Sequence, residues 1–134
     1  MSQENVEVVR RLYEFWARGD FRSGVEAFDP DVEFEMDPTV ATAPVKARGL
    51  AEMAKAWREQ LSGFGDLRVG EIDRLVENSR QVIVFSRVQG RGRRSGAIVE
   101  EPDRAAIFTF RDQRIVCLRL TNQAGGLEAA GLSK

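Results

Sequence analysis

Three apolar runs, QVIVFSRVQ (81–89), RAAIFTF (104–110) and IVCLRLT (115–121), decide the fold of this chain. Each run has the length of a strand and is rich in β-branched and aromatic residues. The glycine-rich segment 90–96 follows the first run, and the short turn 111–114 joins the second to the third. The runs therefore predict an antiparallel meander. Each run contains polar residues among apolar ones. These polar residues either point into a pocket of a curved sheet or lie in solvent at strand ends.

The first half of the chain predicts helices interrupted by a strand. Apolar residues recur at helical spacing in residues 3–18 and 50–62, which predicts two helices. A shorter helix is predicted after Asp20, a good N-cap residue, and it ends before Pro30. The run DVEFEMD (31–37) alternates acidic and apolar residues, as a strand with one buried face does.

The remaining segments complete an α+β pattern. Residues 38–46 are predicted to form a loop, residues 67–76 a strand with a bulge near Gly70, and residues 127–132 a short helix. We therefore expect one domain over residues 1–134, with the three helices of the N-terminal half on the concave face of a bent antiparallel sheet.

The composition excludes several kinds of catalytic and metal site. The chain contains no histidine and one cysteine. It therefore lacks the residues for a Ser-His-Asp or Cys-His site, a zinc site or an intrachain disulfide. Cys117 lies in an apolar run and is interpreted as a small buried hydrophobic residue. No glycine-rich phosphate loop stands between a strand and a helix, so we expect no cofactor and no metal.

The net charge and the hydropathy of the chain indicate which partners and which cellular location to expect. The net charge of −1 favours neither nucleic acid nor an acidic membrane. No apolar run reaches the roughly 18 residues of a membrane span, and the polar start is unlike a targeting peptide. The basic residues Arg91, Arg93 and Arg94 lack interleaved aromatic residues and are interpreted as a solvated hairpin tip. We expect a cytoplasmic protein without nucleic-acid or membrane partners.

Short motifs along nearly the whole chain resemble the SnoaL-like branch of the NTF2-like (cystatin-like cone) superfamily. They are YEFW closing with GD, FDPDV, RG before the helix that contains Trp57, GRG leading to SG, DQRI, and the final EAAGL. The resemblance implies a cone with an inner cavity and a homodimer formed through the sheet.

Ketosteroid-isomerase-like relatives imply an aspartate base with two donors for the enolate oxygen. Asp37 before Pro38 matches the base. The positions of the two donors fall on Leu12 and Ala106, which cannot donate. Tyr13 is adjacent to Leu12, but one residue rotates a helix position by about 100°. A base without an oxyanion hole makes a poor isomerase.

Limonene-epoxide-hydrolase-like relatives imply an arginine and two aspartates. Arg87 matches the arginine, but Gln89 and Leu120 stand at the two aspartate positions, the second just after Arg119. Neither glutamine nor leucine is a general base, so that mechanism is disabled.

Polyketide cyclases of the SnoaL type imply one acidic group in the cavity. Asp37, Glu35 or Glu33 could serve, and the sequence does not choose among them. The alternative is that all three lie on a solvated outer face.

The predicted pocket combines strand and helix residues. An arginine in an apolar strand has either a carboxylate partner on a neighbouring strand or a polar ligand. The aromatic helix residues either pack in the core or line the cavity. We expect Asp37 as the candidate base and a ligand pocket of Tyr13, Trp16, Trp57, Arg87, Gln89, Thr109 and Arg119.

The sequence thus predicts a protein of unassigned activity that binds a small apolar or polycyclic molecule. Two alternatives stay open: an enzyme resembling a polyketide cyclase or isomerase with Asp37 as base, and a non-catalytic dimeric interaction module.

Overall fold

The computed structural model describes residues 2–37, 45–61, 68–78, 80–91 and 98–132. In chain order the elements are α1 (Ser2–Ala17), a 3-10 turn (Val25–Ala27), β1 (Phe28–Met36), β2 (Val45–Arg48), α2 (Leu50–Leu61), β3 (Arg68–Glu77), β4 (Gln81–Arg91), β5 (Ile98–Arg111), β6 (Arg114–Thr121) and α3 (Gln123–Ala129). Within the described ranges, no helix is both long and apolar enough to span a bilayer.

The six strands form one bent sheet in the order β2-β1-β6-β5-β4-β3. The predicted α+β cone is confirmed, and so is the antiparallel meander from β3 to β6. The sheet is mixed, however, because β1 pairs with β6 in parallel. A parallel pair needs a long crossover, and here the crossover comprises every element from β2 to β5.

Local irregularities lie where the sequence places them. The turn between β5 and β6 has positive φ angles of 52° at Asp112 and 67° at Gln113, the geometry of a tight hairpin turn. The register of β3 against β4 shifts between Val69 and Ile72, which confirms the bulge near Gly70.

Three predicted segments differ from the structure. The second helix is only a 3-10 turn, because Phe28 already pairs with Ile115 at the start of β1. The end of the predicted loop is a strand, since Val45 pairs with Met36. The last helix begins at Gln123 instead of residue 127, because the Asn122 side chain accepts a hydrogen bond from the Gly125 amide at 2.9 Å and caps it. Residues 38–44 and 92–97, including most of the predicted basic hairpin tip, lie outside the described residues.

Side-chain alternation divides the sheet into two faces, which we call the inner and the outer face. Helices α1 and α2 pack on the inner face, and α3 covers part of the outer face. A Cβ atom on Gly126 would lie 2.7 Å from both Ala105 and Phe85, so this glycine lets α3 approach the sheet closely. The buried inner-face strand residues include Val32, Phe34, Val82, Val84, Ala106, Phe108 and Leu118, and the buried outer-face cluster is Ile83, Phe85, Ala105 and Ile107.

Candidate functional site

An aromatic cluster fills the space between the helices and the inner face. Trp16 is its centre: its ring centroid lies 5.7 Å from that of Trp57, 6.1 Å from that of Phe108 and 6.5 Å from that of Phe21. Trp57 in turn lies 5.6 Å from Phe34 on β1. Ring pairs at these separations add to the stability from area burial alone. The cluster therefore forms a continuous apolar surface shared by α1, α2 and the sheet.

A cleft of about 440 Å³ opens beside this cluster, between the end of α1, residues 19–25 and α2. We call it the helix cleft. Its volume lies in the range of small-molecule sites. The apolar lining includes Leu12, Trp16, Phe21, Phe28, Met53 and Trp57, and the polar lining residues are Asp20, Arg22, Ser23 and Arg58.

Residues 19–24 form a compact turn that shapes one side of the helix cleft. Gly19, with φ of 79°, ends α1, and the Asp20 carboxylate accepts hydrogen bonds from the Arg22 and Ser23 amides at 3.1 and 3.0 Å. The Ser23 hydroxyl also donates to Asp20. The bonds from Ser23, followed by the one from Arg22, lower the pKa of Asp20. The donors to the Asp20 carboxylate therefore come from its own turn.

The same turn packs closely on α1 because of Gly24. This glycine has φ of 85°, and a Cβ there would lie 2.6 Å from Cδ2 of Leu12. A larger residue at this position would combine backbone strain with a steric clash.

Tyr13 and Ser86 form a polar pair in the aromatic core. Only 5% of Tyr13 and 4% of Ser86 are exposed, and their side chains are hydrogen-bonded. Burial raises the pKa of the Tyr13 hydroxyl far above its usual range, and the bond to Ser86 offsets this only in part. Tyr13 is therefore a neutral phenol at physiological pH and cannot act as a base.

Leu12 and Ala106 are the residues that the resemblance to isomerases puts at the two donor positions. The structure buries both in the apolar inner layer, with exposed fractions of 2% and 3%. Neither side chain can donate a hydrogen bond to an enolate oxygen.

Asp37 and Arg119 form an ion pair on the outer side of the sheet, with Nη2 of Arg119 3.1 Å from Oδ2 of Asp37. Arg119 is in register with Glu35 and with Ile107, an outer-face residue. Alternation therefore places Arg119 on the face opposite to Phe108 and the helix cleft.

Arg87 also has an aspartate partner from a neighbouring strand. Its Nε lies 3.3 Å from Oδ2 of Asp73 on β3, and both side chains are exposed. The two arginines thus form the ion pairs that the salt-bridge interpretation predicts. The exposed pair of Arg87 and Asp73 contributes little to stability.

The other predicted strand residues lie away from the helix cleft. Thr109 accepts a hydrogen bond from Nε2 of Gln81 at 3.3 Å, and Gln89 is exposed. Thr109 is in register with Cys117, whose thiol pKa is raised by burial and by the nearby Glu33 and Glu35. A thiol with a raised pKa is a poor nucleophile at neutral pH.

The structure therefore brings together only part of the predicted pocket. Trp16 and Trp57 line the helix cleft, and Tyr13 lies in the aromatic layer beside it. Arg87, Gln89, Thr109, Arg119 and Asp37 lie elsewhere, so a ligand role for these five stays a prediction.

Sequence reasoning missed the polar residues of the helix cleft. Arg58 follows Trp57 directly, and Arg22 lies in the turn capped by Asp20, so local signals existed. Only the packing of the turn against α2 shows that they share one opening. Within the described ranges, no three His, Cys, Asp or Glu side chains group together in a way that could hold a metal ion.

This architecture is the NTF2-like cone fold, and comparison with known proteins places the chain more narrowly. The model of the SnoaL-like domain family matches residues 9–118, so the chain belongs to the SnoaL-like family. No functionally curated protein matches the chain in sequence.

Three similar solved structures share the fold at low sequence identity. A candidate SnoaL-like polyketide cyclase from Jannaschia sp. CCS1 is 20% identical, with 99% of this chain and 94% of that chain covered and a TM-score of 0.76. An NTF2-like protein of unknown function from Burkholderia pseudomallei K96243 is 18% identical over 97% and 98% of the chains, with a TM-score of 0.75. TerC, co-crystallised with polyporic acid, is 16% identical over 95% and 97%, with a TM-score of 0.74.

Proposed function

We propose that this SnoaL-like protein binds a small apolar or polycyclic molecule in the helix cleft. The proposal rests on one observation: an opening of about 440 Å³ lies directly against the Trp16, Phe21 and Trp57 side chains. Indole and phenyl faces provide large apolar contact area and favour stacking with planar ligands. A few polar groups at such an opening would orient the ligand.

The residues of the helix cleft favour ligand binding over catalysis. Asp20 is the one carboxylate among the residues described as lining it, and its oxygens are hydrogen-bonded within the turn. Asp37, the predicted base, is paired with Arg119 on the other face of the sheet. A general base must reach the proton that it removes, and neither aspartate has that geometry for a molecule in this cleft.

The solved relatives support a small molecule as the occupant. TerC was crystallised with polyporic acid, and the Jannaschia protein is a candidate polyketide cyclase. The fold alone does not transfer a ligand from one member to another. These relatives therefore support a small molecule as the class of ligand.

Tryptophan fluorescence tests the proposal directly. The chain has two tryptophans, Trp16 and Trp57, and both line the helix cleft. Titration with 2-naphthalenemethanol, a neutral bicyclic probe, should quench their emission in a saturable way.

A matched pair of variants on α2 provides the control. Ala54 lines the helix cleft, whereas Ala51, on the same helix, is exposed and does not. Ala54→Phe should weaken probe binding by about tenfold or more, because the added ring occupies the opening, and Ala51→Phe should leave it unchanged. Equal effects of the two substitutions, or no saturable quenching in the parent protein, would contradict the proposal.

A further inference from the structure

The helix cleft is lined by two positively charged side chains and one negatively charged side chain. Asp20, Arg22, Ser23 and Arg58 line its opening. The Asp20 carboxylate is hydrogen-bonded to its own turn through Arg22 and Ser23. The guanidinium groups of Arg22 and Arg58 therefore remain as the charged groups that can meet a ligand.

Among the described residues, neither arginine has a carboxylate partner. Both side chains are exposed. The two belong to different elements, since Arg58 lies in the last turn of α2 and Arg22 in the turn after α1. Arg58 and Trp57 both line the helix cleft, so a cation lies at the same opening as the aromatic wall. Guanidinium groups bind carboxylates in a planar, bidentate manner.

We infer that the helix cleft selects a planar aromatic carboxylate, with its ring against Trp16 and Trp57 and its carboxylate at Arg22 and Arg58. This inference rests on the proposed function and narrows it from an apolar molecule to an aromatic anion. The apolar walls accept the ring, and the cationic opening lets the carboxylate remain hydrated at one edge while it meets the guanidinium groups. A neutral aromatic molecule of the same shape would keep the contact with the apolar walls and lose the attraction to the guanidinium groups.

The test compares 2-naphthoate with 2-naphthamide, which matches it in shape and lacks the charge. Saturable quenching of Trp16 and Trp57 gives both dissociation constants. We expect the parent protein to bind naphthoate about fivefold more tightly, the scale of an exposed ion pair. The ratio should fall to about one in the double variant Arg22→Gln/Arg58→Gln, because glutamine keeps hydrogen-bonding capacity and loses the charge. Arg80→Gln, which changes an exposed arginine before β4, should retain the parent ratio.

The outcomes separate this inference from the proposed function. Equal affinities for naphthoate and naphthamide in the parent protein would overturn the inference and leave the proposed function standing. A preference for naphthoate that persists in the double variant would also overturn it, since the two arginines would not be its cause. Failure of both probes to bind would overturn the inference and the proposed function together.

Discussion

Tyr13→Phe is the substitution that most directly tests the buried polar pair of the core. The phenyl ring can keep its packing against Trp16 and Phe108, whose centroids lie 5.0 and 6.2 Å away, so the change removes only the hydroxyl. Ser86 is 4% exposed and loses that hydrogen-bond partner. Leaving a buried hydroxyl unsatisfied costs about 1–3 kcal/mol of the free energy of unfolding.

Urea unfolding of four proteins measures this effect as a double-mutant cycle. Ser86→Ala should also destabilise the fold, and the double variant Tyr13→Phe/Ser86→Ala should lose less than the sum of the two single changes, because it leaves no orphaned hydroxyl. Thr109→Val, which removes a half-buried hydroxyl bonded to the partly exposed Gln81, should cost about 1 kcal/mol or less and should be additive with Tyr13→Phe. Additivity of the single changes would refute the coupling of Tyr13 and Ser86.

The same pair predicts how stability depends on alkaline pH. Burial raises the pKa of Tyr13 in the folded state above its ordinary value of 10.0, so the unfolded chain ionises first. The contribution to stability is complete below about pH 10 and is then lost as the pH rises, by about 1.4 kcal/mol for each pH unit. Tyr13 is the single tyrosine of the chain, so phenolate absorbance reports it alone. Ordinary titration of Tyr13 in the folded protein would contradict the burial argument.

Three further predictions concern the outer face. Gly126→Ala should destabilise the protein by about 1–3 kcal/mol in urea unfolding, because the new Cβ would lie 2.7 Å from Ala105, whereas Ala124→Ser on the same helix should be neutral. Asp37→Asn should cost about 1 kcal/mol or less, since its partner Arg119 is 41% exposed, and it should leave probe binding in the helix cleft intact. Loss of probe binding in Asp37→Asn would contradict the separation of Asp37 from the helix cleft. The expected homodimer should have twice the chain mass of 15.0 kDa by light scattering, and a mass of one chain would contradict it.

Local patterns in the sequence were sufficient for most of the secondary structure. Alternation in residues 31–37 separates the buried Phe34 and Met36 from the acidic side chains, and the structure keeps that separation. Residues 111–114 were recognisable as a tight turn because this short polar segment separates two apolar strand-like runs, and the structure has the turn at Asp112 and Gln113. These features depend on neighbours in the chain, which is why one sequence predicts them.

The strand pairing at the centre of the sheet could not be predicted in the same way. The parallel pairing of β1 with β6 joins residues about eighty positions apart, such as Glu35 and Arg119. No local pattern encodes which distant strand fills that place, because any strand with a matching buried face would satisfy the same alternation.

The sequence by itself predicted a SnoaL-like cone with aromatic helices, whereas the tertiary structure alone decided where a cleft opens beside those aromatic side chains. In β4 both Val84 and Phe85 are buried, because helices cover the inner face and α3 covers the outer one. When both faces are covered, apolar neighbours do not show which face a strand residue occupies. Arg119 was therefore predicted from the sequence as a pocket residue and lies on the outer face in the structure, whereas the helix cleft lies where the turn after α1 packs beside α2.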